Sequence, residues 1–182
     1  MRTLPSFNHE AHDKITKLLN KPIYPHGDCY AFQFNTATDV SWIHSDVQPS
    51  EMITKPNFNF WAAVAYLTPN PVISCGTTPY ANKTYNSRGL KDTIDNEKRS
   101  RGEAIIGFIS DESSDVSKWT KSTSAGNVYN RIVVYDALYY HQASSYFGDT
   151  KEGCRLLQVF FSHTTNDDIN KDNKDNIKIP GC

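Results

Sequence analysis

A mainly β fold, a jelly roll or sandwich of antiparallel strands flanked by helix, is predicted by three features of this sequence. Short apolar segments alternate with a period of two along much of its length. Helical periodicity stands out only near the start, and nowhere do strands alternate with crossover helices as a parallel sheet requires. At 182 residues, 38% of them hydrophobic, the chain is long enough for one domain with a sizeable core.

Taken in order, "NHEAHDKITKLLN" (8–20) puts Ala11, Ile15, Leu18 and Leu19 on one helical face, with Asn8 placed to cap it. After the turn-rich "KPIYPHGD", the segment "CYAFQFNT" alternates Tyr30, Phe32 and Phe34 with smaller or polar residues, a strand pattern. "VSWIHSDV" predicts a second strand or strand end. "NFNFWAAVAYLT" predicts a buried strand closed by the turn signal "PNP", and "SCGTTPY" a short strand after a glycine. Residues 81–127 carry the least pattern. With the charge cluster "KDTIDNEKRSRGE" (91–103) and the apolar island "EAIIGFI" (103–109), they read as an insertion or lid. "NRIVVYDALYYH" and "RLLQVFFSH" return to β character, completing a single domain over 1–165. The text from 166, "NDDINKDNKDNIKIPGC", reads as a polar surface tail.

The charge is −1 with acids and bases interspersed, which gives no electrostatic reason to expect nucleic acid or an anionic membrane as partner. The apolar run around "WAAVAYL" (61–67), which begins at Phe60, is far short of the roughly 20 residues that span a bilayer. The start lacks the apolar core of a signal peptide. The four cysteines, at 29, 75, 154 and 182, form no C-x-x-C pair, so no zinc cluster or disulfide scaffold is predicted. A reducing, cytoplasmic setting is the expectation.

Two of the six histidines begin a His-x-Asp triplet, His26-Gly27-Asp28 and His44-Ser45-Asp46. The first falls in a Pro-Gly turn, where side-chain directions are poorly fixed. The second falls in β text, where residues i and i+2 share a face, so His44 and Asp46 converge while Ser45 turns away. Two histidines and one carboxylate with open positions suit ferrous iron, and His141, on a late β element, is the candidate third ligand. His9 and His12 belong to the helix, while His12 and His163 are expected to meet solvent. Arg155 opens "RLLQVFF" and shares a face with Leu157, Val159 and Phe161. A charge at the head of an apolar face is costly unless paired, and a guanidinium grips a carboxylate through two parallel hydrogen bonds. The plainer alternatives are a strand-end pair for His44 and Asp46, a backbone-bonded histidine at 141, and an ion pair of Arg155 with Asp149 or Glu152.

The series "HSD" (44–46), "AVAYLTPN" (63–70), "GTTPY" (76–80), "NRIVVYDALYYH" (130–141) and "CRLLQVFF" (154–161) resembles the 2-oxoglutarate/Fe(II)-dependent dioxygenase superfamily. It looks most like a small microbial branch near the prolyl-hydroxylase-like members. The resemblance implies a double-stranded β-helix (jelly roll) with flanking helices, His44, Asp46 and His141 as iron ligands, and Arg155 as anchor for the co-substrate. Tyr66 and Thr77 fall on strands that line the co-substrate pocket in that family. The implied reaction is hydroxylation of an amino acid, peptide residue or small metabolite by dioxygen, with 2-oxoglutarate converted to succinate and CO2. Phe161 stands where the nucleic-acid-demethylating branch carries a second arginine, and 81–127 matches no part of the family's pattern. Two other classes stay open: a non-catalytic jelly-roll binding or structural module, and a cupin-type metalloenzyme indifferent to 2-oxoglutarate. Cupins favour a His-x-His opening, absent here.

Overall fold

The computed structural model describes residues 8–27, 29–96 and 112–165. The tail from 166, the island at 103–109, the second half of the charge cluster, the leading residues 1–7 and Asp28 lie outside the described residues. Among those described, three α-helices, α1 (His9–Leu19), α2 (Pro49–Thr54) and α3 (Leu90–Asn96), accompany eight strands. These are β1 (Tyr24–Pro25), β2 (Phe32–Asn35), β3 (Phe58–Tyr66), β4 (Thr77–Asn82), β5 (Trp119–Lys121), β6 (Ile132–Asp136), β7 (His141–Ala143) and β8 (Arg155–Thr165). The protein is mainly β, built from two antiparallel sheets.

The long apolar text of β3 and β8 makes them the spine of the larger sheet. They pair from Phe58↔Thr165 to Tyr66↔Leu157. On its other edge β8 takes β2, from Phe32↔Gln158 to Asn35↔Arg155, and then β1 at His163 and Ser162. β6 pairs with the outer edge of β3. In the smaller sheet β4 lies between β5 and β7, and His44 joins it through a single bridge to His141. The segment "VSWIHSDV" is therefore irregular chain with one strand-like contact, not a full strand.

Period two sorts β8 into two faces. Phe160 packs outward with Ala63 and Ala65 against Ala11 and Ile15 of α1, joined by Ile23, Cys29 and Tyr30. Leu157 and Val159 pack inward with Ala31, Val64 and Tyr66. Helix α1 begins as its sequence indicates, the Asn8 side chain accepting the Ala11 N–H at 3.0 Å. Its buried stripe runs 11, 15, 19; at about 100° per residue this row drifts around the helix by roughly 40° per step, and Leu18 is left on the solvent flank, 69% exposed. His12 and His163 are more engaged than expected. His12 Nδ1 lies 2.8 Å from the Tyr30 hydroxyl, and the His163 ring stacks on Phe58 at 4.2 Å.

On the smaller sheet, Ile43, Trp119 and Tyr140 form an outward cluster, so their neighbours His44 and His141 turn to the other side. The described ends of 81–127 are stitched to this sheet. β5 pairs with β4, Ala125 bridges Thr77, and Thr93 of α3 meets the Tyr140 hydroxyl at 2.7 Å. Cys29, Cys75 and Cys154 are free, buried thiols. No described helix is long and apolar enough to cross a membrane.

Candidate metal centre

The turn after β6 sets the geometry of the site. The Asp136 carboxylate accepts the Leu138 N–H at 2.9 Å, tightening the turn that leads into β7. The chain at 44–46 then locks onto this turn and the first residue of β7. His44 and His141 exchange both backbone hydrogen bonds, at 3.0 and 2.8 Å, and Asp46 N–H donates to Ala137 O at 2.9 Å. Two segments almost a hundred positions apart are thus held in fixed register by three backbone bonds, with Gln142 Nε2 adding a side-chain bond to Ser41 O at 2.9 Å.

The side chains follow. His44 Nε2 lies 3.7 Å from Asp46 Oδ1, and His141 Nε2 lies 3.4 Å from Asp46 Oδ2. The two imidazole rings are 4.5 Å apart between centroids, and one ligand atom from each of the three residues falls within 4.8 Å of the others. Metal–nitrogen and metal–oxygen bonds of about 2.0–2.2 Å put neighbouring ligand atoms roughly 3 Å apart, so modest rotation closes the set on an ion. Each imidazole is also oriented for that purpose. Nδ1 of His44 donates to Trp42 O at 2.9 Å, and Nδ1 of His141 donates to Tyr139 O at 3.0 Å. These bonds fix the tautomer that leaves both Nε2 lone pairs toward Asp46. Burial pushes the His141 imidazole below its ordinary pKa, against the opposing pull of the Asp46 charge, so it stays a neutral donor. His44, Asp46 and His141, graded from part-exposed to buried, could hold a metal ion.

Tyr135 completes this end of the cavity. Its hydroxyl donates to Asp46 Oδ2 at 3.2 Å and lies 3.2 Å from His141 Nε2. Burial, and then the Asp46 charge, drives its pKa well up, so it remains a protonated donor. Nothing in the sequence flagged it. Tyr135 is six positions before His141, and the turn between them breaks the phase from which a shared face could be read.

The same cavity, about 240 Å³ in volume, is lined by Thr77, Tyr146 and Arg155 as well as by the three metal-site residues. Arg155 is 3% exposed, yet no carboxylate among the described residues pairs with it, Asp149 and Glu152 included. Its Nε donates to Cys75 O at 2.9 Å and one terminal nitrogen to Gly76 O at 3.3 Å. The rings of Tyr66 and Tyr146 lie 5.6 and 5.7 Å from the guanidinium carbon. Gly76 must be glycine for this approach, since a Cβ there would collide with the Ala125 carbonyl. Burial lowers the Arg155 pKa, the neighbouring phenols opposing it; the group remains a cation. Tyr66 and Thr77 are bonded to one another, hydroxyl to hydroxyl, at 2.7 Å. Thr77 lines the cavity, whereas Tyr66 is fully buried and does not; it meets the site only through Thr77 and Arg155.

Five of the six residues singled out from the sequence, His44, Asp46, Thr77, His141 and Arg155, therefore line one cavity, and Tyr66 lies behind it in contact with two of them. Tyr135 and the Cys75 and Gly76 carbonyls are additions that only the three-dimensional arrangement supplies. No protein-family model matches the chain, and no curated protein matches it.

Proposed function

We propose that the protein is an Fe(II)- and 2-oxoglutarate-dependent oxygenase of double-stranded β-helix type, acting in the cytoplasm. It would hydroxylate an amino acid, a peptide residue or a small metabolite. One observation carries the reading: a His-Asp-His set and a buried guanidinium with no carboxylate partner line the same small cavity. An ordinary buried arginine is matched by an acid; this one is matched when a dianionic co-substrate enters.

Two imidazole nitrogens and one carboxylate oxygen, with the remaining positions open, suit ferrous iron. Bound there with 2-oxoglutarate and dioxygen, the iron supplies the oxidising power that inserts one oxygen atom into a substrate C–H bond and the other into succinate, with loss of CO2. The protein's own part is to bind and orient. His44 and His141 present neutral nitrogens, Asp46 offsets part of the cation's charge, and Tyr135 holds the Asp46 carboxylate in place. Arg155 holds the distal carboxylate of the co-substrate by charge-assisted hydrogen bonds, set in position by Cys75 O, Gly76 O and the Tyr66 ring. Leu157, Val159 and Phe161 keep the wall between the two ends dry, which strengthens both electrostatic contacts.

Thermal stabilisation by Mn(II) with N-oxalylglycine, an unreactive analogue of 2-oxoglutarate, tests the reading through mass action. The melting temperature rises with both added together, and His141→Ala abolishes the rise and the slow release of succinate. Stabilisation by metal alone, indifferent to the analogue, would indicate a metalloenzyme of another kind. No response to either would leave a binding module.

A further inference from the structure

Resting on that reading, we propose that the part of the substrate entering the cavity is uncharged, and that Asn35 receives an N–H or O–H donor from it. Assignment of Asp46 to the metal and Arg155 to the co-substrate uses up the formal charges on the cavity wall. Beyond the two metal-site imidazoles, the rest of the lining among the described residues comprises the amides Gln33 and Asn35, the hydroxyls of Ser41, Thr77, Tyr135 and Tyr146, the Trp42 ring and aliphatic or phenyl side chains. A carboxylate or ammonium carried into such a lining loses its hydration and meets no counter-charge, a cost that an amide or hydroxyl escapes once it is hydrogen-bonded.

Asn35 is prepared for that bond. It ends β2 directly across from Arg155 in the strand register, and its Oδ1 is buried with no hydrogen-bond partner among the described residues. A buried orphaned acceptor lowers stability unless something satisfies it, and Asn35 is itself one of the residues lining the cavity. Whichever way its carboxamide is turned, the group offers one acceptor and one donor pair to a neutral polar partner and none to match a net charge. Trp42, 56% exposed and with its ring 6.4 Å from that of His44, forms a flat apolar wall at the metal end. Neutral, hydrogen-bonding and partly apolar is the chemistry of a residue within a peptide, or of an uncharged hydroxylated metabolite. It is not that of a free amino acid, whose two charges would both be stranded.

The test compares matched compounds on the full-length protein loaded with Fe(II) and 2-oxoglutarate, reading succinate released above the level without a third component. One arm supplies amino acids as free zwitterions, a second the same side chains as N-acetyl amides, and a third neutral polyols and nucleosides. Stimulation by the second arm assigns the source as peptide, and by the third as metabolite; either supports the inference. Stimulation by zwitterions alone, or by none of the arms, overturns it. Asn35→Leu then raises the half-saturating concentration of the stimulating compound roughly tenfold or more, while moving that of 2-oxoglutarate less. An equal or larger change for 2-oxoglutarate would assign Asn35 to the co-substrate and overturn the inference. Because both constants are read on one protein, partial loss of folding lowers the active fraction without altering their ratio. Absence of any stabilisation by Mn(II) and N-oxalylglycine sinks the oxygenase reading, and this inference with it; intact stabilisation with only zwitterions active sinks this inference alone.

Discussion

The two faces of β8 bury polar side chains three residues apart and treat them oppositely. Outward, Gln158 is 1% exposed and bonded at both ends: Oε1 accepts from Asn8 Nδ2 and Nε2 donates to Tyr30 O, each at 3.0 Å. Inward, Arg155 is 3% exposed, a full cation, and holds two backbone carbonyls but no acid among the described residues. Burial alone does not tell a site from a core. The difference is in pairing, because a satisfied polar group adds specificity to packing, whereas an unmatched charge in a cavity is tolerable only if a ligand completes it.

Substitutions on the inner face should therefore cost ligand binding, and those on the outer face stability. Arg155→Met has the largest expected effect. Each charge-assisted hydrogen bond contributes about 1.5–3 kcal/mol, so losing two weakens 2-oxoglutarate binding by roughly 10²–10⁴-fold. Titration of the Mn(II) protein with N-oxalylglycine measures it. Without ligand, relief of the unmatched charge opposes the loss of the bonds to Cys75 O and Gly76 O, so the melting temperature moves less than the affinity does. If Arg155→Met instead unfolds the protein while leaving co-substrate affinity intact in what remains folded, the inner face is core like the outer one.

Next in size is Tyr135→Phe, which removes the hydroxyl from Asp46 Oδ2 and leaves the ring in place. Loss of a partner that orients a ligand typically lowers metal affinity about 10–100-fold, and competition between Mn(II) and a chelator reads it directly. A fall in melting temperature with unchanged metal affinity would make Tyr135 a packing residue.

The inner face was legible in the sequence because period two survives along an unbroken strand: Arg155, Leu157, Val159 and Phe161 all line the cavity. His44 and Asp46 were legible for the same reason even though their segment forms one bridge rather than a strand, since the local extended backbone suffices to align i and i+2. What could not be read depends on contacts distant in sequence. Tyr135 reaches the site across a turn, Gly76 is required because the Ala125 carbonyl leaves no room for a Cβ, and Asn35 is set beside Arg155 only by the pairing of β2 with β8. The helical period puts Leu18 on one face with Ile15, but it does not say which flank of that face meets the sheet, and Leu18 lies on the exposed one.

The outer face gives the smaller effects. Gln158→Ala strands the Tyr30 carbonyl in a buried setting and costs about 1–3 kcal/mol of stability, measured by denaturant unfolding, with co-substrate affinity unchanged. Asn8→Ala is milder still. Its Oδ1 caps α1 at Ala11 N–H while its Nδ2 reaches Gln158, and loss of such a cap costs about 1 kcal/mol. Asn8→Ser separates these two roles, since serine caps a helix nearly as well yet is too short to reach the strand. If Asn8→Ser restores most of what Asn8→Ala loses, the cap dominates and the helix is held to the sheet by Ala11, Ile15 and Phe160. If it restores little, the hydrogen bond to Gln158 is what fastens α1 across β8, and the outer face is bound by polar pairing as much as by apolar contact.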